Sequence, residues 1–194
     1  KIRFVYSWIY DDMFKDNWEN SKRKIIRKYP SASTLNKFKD EIEQYWKISA
    51  DNILLELSEI SGLDWKEKEI RCYITGFCLP FSDPLTVPYF KDKSWFLDVL
   101  THELIHQLFI QNESKIKKAF EYFMKRYSSH PFNTQIHIPL HAIHNKLYLK
   151  VFDSRRLDRD IKIMSSYPDY RLSWDIVKKE GFETILDKFR RNIQ

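Results

Sequence analysis

The sequence predicts an α+β fold that is mostly helical, with a small N-terminal β-sheet and a helical C-terminal part. Of its 194 residues, 43% are hydrophobic and 16% aromatic, which is enough apolar side-chain surface for a sizeable core. Only three Gly and seven Pro are present, so tight turns should be few. Apolar residues recur at helical spacing over most of the chain, whereas the alternation typical of strands is confined to its N-terminal half.

We expect a single domain over residues 1–194, with an N-terminal subdomain of about residues 1–112 and a helical subdomain of about residues 113–194. No internal repeat or low-complexity tract divides the chain. No apolar run is long enough to cross a membrane, and no secretory signal precedes the fold. Because the chain begins at Lys1 instead of Met, a trimmed leader stays open as an alternative.

The first strand is predicted over residues 2–9, which are rich in aromatic and β-branched side chains. A helix should follow from Asp11 to Lys28, with apolar residues on one side, and Pro30 should stop it.

A long helix is predicted next, capped by Ser33 or Thr34 and broken near residues 49–52. Gly62 suits its C-terminal end, because glycine adopts the left-handed conformation that ends many helices.

A second strand is expected over residues 68–77, where apolar Ile70, Cys72 and Ile74 alternate with more polar residues. Residues 79–90 contain three prolines, which lack the N–H that an interior strand needs. We therefore expect an edge segment or a rim loop there.

The two cysteines, Cys72 and Cys78, lack the CxxC spacing of zinc and redox motifs. A buried, apolar role is expected for both. A disulfide or a metal role stays open as the alternative. A reducing, cytoplasmic setting fits best.

The formal net charge of +6 is mildly basic. Basic residues cluster in residues 22–28 and 155–159, which is typical of solvated helix faces. Nucleic acid is the less favoured partner, and binding to it would depend on salt.

The chemistry of the chain is predicted to lie in the segment from His102 to His106, which reads His-Glu-Leu-Ile-His. On a helix the two histidines are one turn apart on the same face, so they can hold one zinc ion, and Glu103 can act on a water at that ion. We expect the helix to be capped by Ser94 and to run to about Gln111, before Asn112.

This motif, with uncharged and apolar neighbours, resembles the active-site helix of the zincin metallopeptidases. The resemblance covers roughly residues 95–110 and, more loosely, the order of the preceding elements. It implies one zinc per chain, a peptide or protein substrate, and Glu103 as the general base. It also implies that the long helix backs the active-site helix and that residues 69–90 include an edge strand with which the substrate pairs.

The third zinc ligand is predicted downstream, where His137, His141 and His144 share one helix face with Tyr148. The gluzincin branch of the zincins places a Glu on a separate helix there, and residues 137–152 contain none. We take Pro139 as the first-turn residue of this helix and His141 as the preferred ligand.

Alternatives to His141 as the ligand stay open. His144 and His137 are alternative ligands or partners of the ligands, and Glu121 and Glu113 are less favoured. Residues that could orient the ligand imidazoles by hydrogen bonding are sought among His144, Asn145 and Asp153.

Oxyanion donors are sought among tyrosines. The candidates are Tyr148, Tyr167 and Tyr170. Further helices are expected over residues 113–127, 154–164 and 174–191.

The sequence therefore predicts a zinc-dependent metallopeptidase that hydrolyses peptide bonds. The alternatives are a non-catalytic zinc-binding regulatory module with the same fold, and a DNA-associated protease. Substrate, cleavage specificity, latency and oligomeric state are not predicted.

Overall fold

The computed structural model describes residues 1–21 and 27–193. Within these residues it contains a four-stranded mixed sheet and nine helices, and it is 68% helical, which confirms an α+β fold that is mostly helical. The strands are β1 (Ile2–Val5), β2 (Ile70–Thr75), β3 (Phe81–Ser82) and β4 (Leu85–Pro88). The helices are α1 (Trp8–Glu19), α2 (Ala32–Lys47), α3 (Ala50–Ser61), α4 (Lys93–Gln111), α5 (Glu113–Arg126), α6 (Phe132–Val151), α7 (Ser154–Met164), α8 (Pro168–Glu180) and α9 (Phe182–Arg191).

The sheet has the strand order β1-β2-β4-β3. Strands β1, β2 and β4 are parallel, with Phe4 opposite Cys72 and Ile74 opposite Val87, and β3 pairs antiparallel with β4 at one edge. Phe4, Cys72, Ile74 and Val87 are all buried, so this face of the sheet belongs to the core.

Strand β4 corrects the prediction for residues 79–90. It lies between β2 and β3, so it is an interior strand, and only β3 is the expected edge segment. The strand is regular because its prolines stand at its ends: Pro84 precedes its first residue and Pro88 is its last. A proline there does not interrupt the ladder.

The described residues form two compact units, and the first comprises Lys1–Asp51 and Glu67–Gln107. Its core contains edge-on and tilted contacts between aromatic rings of β1, α2 and α4. The Phe4 ring lies 6.5 Å from Trp46 and 6.1 Å from Phe96, and Phe38 lies 5.3 Å from Phe96.

Helix boundaries in this unit differ from the prediction, because side chains outside the periodic segments cap the helices. The hydroxyl of Ser7 accepts a hydrogen bond from the Tyr10 N–H, so α1 begins at Trp8, inside the predicted strand. Ser31, not Ser33 or Thr34, caps α2. The predicted helix from Asp11 to Lys28 includes residues 22–26, which lie outside the described residues.

A buried polar network joins α1 to the end of β2. The Asp11 carboxylate accepts hydrogen bonds from the Tyr29 hydroxyl (2.5 Å) and from the Gly76 N–H (2.8 Å). A Cβ on Gly76 would lie 2.3 Å from the Tyr29 ring, so only glycine fits at this position. Hydrogen bonds to both groups offset the cost of burying the Asp11 carboxylate.

The second unit comprises Asn52–Lys66 and Leu108–Gln194. Helix α6 is its centre and packs against α5, α7, α8 and α9. Gly62, at φ 74°, follows α3 as predicted, and Gly181, at φ 82°, separates α8 from α9 where one longer helix from residue 174 was expected. Among the described residues, no helix combines the length and apolar character needed to span a membrane.

Helix α6 also corrects the prediction that Pro139 opens a helix. The helix starts at Phe132, and Pro139 stands inside it. Proline removes one N–H from the helix ladder, but packing on several sides holds α6 together despite that loss. His137 is therefore a helical residue upstream of the proline.

Candidate metal centre

Helix α4 presents both histidines of the motif. The Asp92 carboxylate accepts hydrogen bonds from the N–H groups of Ser94 (2.8 Å) and Trp95 (3.3 Å), so Asp92 caps the helix in place of the predicted Ser94. The helix is apolar on most sides, and Leu100, Leu104, Ile105 and Leu108 are fully buried. His102 and Glu103 are buried and His106 is half-buried, so the motif lies in a largely buried stretch of the helix, as its uncharged neighbours predicted.

The structure brings three histidines together. His102, His106 and His137 each offer a ring nitrogen, and these atoms all lie within 4.8 Å of one another. Nitrogen ligands of a tetrahedral zinc lie about 3.3 Å apart, given Zn–N bonds of about 2.0 Å. Small rotations of the rings would therefore let this cluster of three histidines hold a metal ion.

The third member of the group is His137, not the preferred His141. A helix that starts at Pro139 leaves His137 outside it, and for this reason the sequence favours His141. His137 stands four residues before His141, so the two share a helix face. This spacing would predict His137 as a ligand in a helix that begins upstream of residue 137.

The ring of His137 has a defined orientation. Its Nδ1 atom lies 2.7 Å from the main-chain oxygen of Asn133, which can only accept a hydrogen bond, so Nδ1 carries the proton. Nε2 then keeps its lone pair, which is the form that binds a metal. Burial lowers the pKa of His137 to about 4, against weaker raising contributions from Asn133 and Asp169, so the ring is neutral at pH 7.

His141 lies in the packing between α6 and α8. Its ring stacks on Trp174, with centroids 4.1 Å apart, and its Nδ1 atom lies 2.6 Å from the Ser173 hydroxyl oxygen. That hydroxyl donates to the main-chain oxygen of Tyr170 (3.0 Å), so it accepts from His141. His141 is absent from the cluster of candidate ligands in the described residues.

His144 is also outside the cluster. Its Nε2 atom lies 3.3 Å from a carboxylate oxygen of Asp160, and its ring lies 4.3 Å from that of Tyr148. Burial, with a smaller contribution from Arg156, lowers the pKa of His144 to about 3.

Glu103 is the buried carboxylate of the motif, with 6% of its surface exposed. Burial raises its pKa to about 8. A carboxylate held in dry surroundings is a stronger base than one in water, which suits proton transfer near neutral pH.

The other residues predicted for the site differ in how close they lie to the histidine cluster. Tyr170 lies beside the cluster, with its ring 4.4 Å from His137, whereas Tyr148 is fully buried next to His144 and Tyr167 is exposed. Asp153 caps α7 by accepting a hydrogen bond from the Arg156 N–H (2.9 Å). Glu113 and Glu121 are exposed and outside the cluster.

Both cysteines are free thiols. Cys72 is buried in β2, and Cys78 is half-buried, with its sulfur 3.2 Å from the Thr75 hydroxyl. Burial, with the charge of Glu103 adding to it, raises the pKa of both thiols. Neither thiol belongs to the cluster of candidate ligands.

No protein-family model, curated protein or solved structure matches this chain. The interpretation of the site therefore rests on its own residues.

Proposed function

We propose that this protein is a zinc-dependent metallopeptidase in which His102, His106 and His137 hold one zinc ion and Glu103 is the general base. The observation that carries the proposal is the group of three ring nitrogens within 4.8 Å, with a buried carboxylate next to one of the ligands in the chain. This proposal includes the zincin-like arrangement that the motif suggests.

The donor set fits zinc. Three neutral imidazoles are a known ligand set of catalytic zinc, with one position left open for water or substrate. His137 supports this fit, because its Nδ1 proton is engaged by Asn133 and its depressed pKa of about 4 keeps the ring neutral.

When bound, zinc would supply Lewis-acid polarisation of the scissile carbonyl and a lower pKa for a coordinated water. Glu103 would accept the proton of the attacking water and later donate it to the leaving amine. The burial of His102 and Glu103 excludes bulk solvent from this transfer. Tyr170, beside His137, is the best placed of the three candidate tyrosines to donate a hydrogen bond to the developing oxyanion.

A non-catalytic zinc-binding module is the second candidate function. The low exposure of His102 (4%) and Glu103 (6%) favours it, because a closed site is typical of structural zinc. In that case the zinc would stabilise the fold, and Glu103 would have no role in turnover.

The two candidates are separated by the Glu103→Gln variant. For a peptidase, this change should lower hydrolysis of a mixed peptide library by at least about 100-fold while zinc remains at one ion per chain. Zinc is measured by mass spectrometry of the metal, and cleavage by mass spectrometry of the peptides. Wild-type protein that binds zinc yet cleaves no peptide would support the module, and protein without zinc would exclude both.

A further inference from the structure

An apolar groove of about 390 Å³ lies between α1 and the segment that leads from β2 into β3. Four of its lining residues are aromatic, namely Phe14, Trp18, Phe77 and Phe81. Leu79 and Cys78 add further apolar surface, and Asn17 and Ser21 contribute polar groups. This size and lining are typical of sites that take a large apolar side chain.

The groove wall is held in place by contacts within the first unit. The rings of Trp18 and Phe77 lie 4.4 Å apart, and the Trp18 indole N–H donates to the main-chain oxygen of Arg27 (3.0 Å). The rings of Phe14 and Phe81, which also line the groove, lie 6.2 Å apart and contact each other. A wall held in this way loses little conformational entropy when a ligand binds.

The rim of the groove carries a cation. The Arg27 guanidinium lies over the Phe77 ring, 4.4 Å from its centroid, and Arg27 is exposed. The acidic residues Asp12, Asp16 and Glu19 of α1 are exposed on the side of the helix opposite the groove, at about 100° per residue. The Asp11 carboxylate near Cys78 is buried and already accepts hydrogen bonds from Tyr29 and Gly76. Among the described residues, Arg27 is therefore the charge that the rim offers to a carboxylate.

The groove adjoins the candidate catalytic helix through β3. Phe81 lines the groove, and the main-chain oxygen of the next residue, Ser82, accepts a hydrogen bond from the side chain of Gln107. Gln107 directly follows His106 in α4.

We propose that this groove binds an aromatic side chain of a peptide whose neighbouring residue carries a carboxylate that pairs with Arg27. The inference rests on the proposed function, because it makes the groove a specificity site for the peptide substrate. Charge complementarity selects this occupant: the chain carries a formal net charge of +6, and the groove presents a cation beside aromatic rings.

The test uses the full chain with Glu103→Gln, so that peptides bind without being cleaved. The probes are capped hexapeptides containing Phe-Asp, Ala-Asp or Phe-Lys at the centre, and calorimetry measures their dissociation constants. We expect the Phe-Asp peptide to bind at least about tenfold more tightly than either of the others. Equal affinities for the three peptides would overturn the inference.

Two pairs of variants in that background locate the binding. Asn17→Trp fills the groove from an exposed position, and Asp16→Trp places the same ring on the opposite side of α1 as its control. Asn17→Trp should weaken Phe-Asp binding at least about tenfold, and Asp16→Trp should leave it unchanged. Arg27→Gln should remove the preference for Asp over Lys, while the exposed control Lys28→Gln should keep it.

Three further outcomes distinguish the groove inference from the proposed function. If Asn17→Trp and Asp16→Trp bind the Phe-Asp peptide with equal affinity, the inference is wrong, even if the wild type hydrolyses peptides. Peptide binding that Asn17→Trp weakens, together with no peptide hydrolysis by the wild type, would instead contradict the proposed function and support the groove as a peptide site. Sedimentation of the wild type as a dimer that Asn17→Trp dissociates would assign the groove to self-association and overturn the inference.

Discussion

The Nδ1 atom of His141 lies 2.6 Å from the hydroxyl oxygen of Ser173, and among the described residues His141 is not part of the cluster of candidate ligands. The adjacent stacking on Trp174 gives the imidazole a packing partner as well as a polar one. Two histidines on one face of α6 therefore differ in their surroundings: His137 belongs to the cluster of candidate ligands, and His141 contacts Ser173 and Trp174 of α8.

The first prediction contrasts His137→Asn with His141→Asn. His137→Asn should weaken zinc binding at least about 100-fold, because it removes a proposed ligand. It should also lower the free energy of unfolding of the metal-free protein by about 1–2 kcal/mol, because His137 is buried and hydrogen-bonded to Asn133. His141→Asn should keep the zinc affinity within about threefold but lower that free energy by about 2 kcal/mol, because it leaves Ser173 and Trp174 poorly packed.

Competition with a chromophoric chelator measures the zinc affinity, and urea unfolding of the metal-free protein measures the stability. Loss of zinc in His141→Asn with zinc retained in His137→Asn would reverse the assignment of the third ligand. The Ser173→Ala variant is the partner control, and it should be destabilised by about 1 kcal/mol with zinc binding intact.

The second prediction concerns the Asp11, Tyr29 and Gly76 network. Gly76→Ala should destabilise the protein by about 2 kcal/mol or more, because its Cβ would approach the Tyr29 ring to 2.3 Å. Thermal or urea unfolding measures the effect.

The double variant Gly76→Ala/Tyr29→Ala provides the control, because it removes the ring that the new Cβ would meet. If the clash is the cause, the double variant should be more stable than the sum of the single effects predicts. Strict additivity of the two changes would contradict the mechanism.

The third prediction is a pH dependence at Glu180. Its carboxylate accepts hydrogen bonds from Arg126 (3.1 Å), Tyr127 (2.9 Å) and Lys188 (3.0 Å). Burial raises the pKa of Glu180, but these donors outweigh it and hold the pKa below its ordinary value. The stabilisation is therefore fully present above the unfolded-state pKa of about 4.3 and is lost as pH falls through the lower, folded-state pKa.

The Glu180→Gln variant tests this sign. It should be less stable than the wild type by about 1 kcal/mol at pH 7, and the difference should shrink towards zero at about pH 2. Urea unfolding at both pH values measures it, with the exposed Glu121→Gln as control. A difference that is constant with pH would show that the carboxylate charge contributes nothing.

The fourth prediction concerns thiol reactivity. Burial, with charges of Asp11 and Glu103 adding to it and the Thr75 hydrogen bond opposing it, raises the pKa of Cys78 to about 11. Cys72 is fully buried in β2. Both should react with iodoacetamide at pH 8 about 100-fold more slowly in the native protein than in urea, because little thiolate is present.

Mass spectrometry of intact protein over time measures the labelling, and peptide mapping assigns it to each cysteine. Rapid labelling of native Cys78 would show that the groove wall opens, and would also weaken its use as a binding surface.

Elements whose pattern is local could be predicted from the sequence. The motif helix was expected to run from about residue 94 to 111, and α4 spans Lys93–Gln111, because a continuous apolar pattern between polar ends is a local property. Gly62 could be predicted as a helix end, because glycine is the residue type that most readily adopts a positive φ. Caps were less predictable, since Ser7, Ser31 and Asp92 each had equally suitable polar neighbours.

The sequence by itself determined an α+β chain with a buried His-Glu-Leu-Ile-His helix and a downstream helix rich in histidine. The choice of His137 over His141 was decided only by the tertiary structure. Packing against α5, α7, α8 and α9 stabilises a helix that continues through Pro139, and this places His137 in the second turn of α6. Both residue spacing and helix propensity are local, whereas the contacts that offset a missing hydrogen bond come from residues distant in the chain.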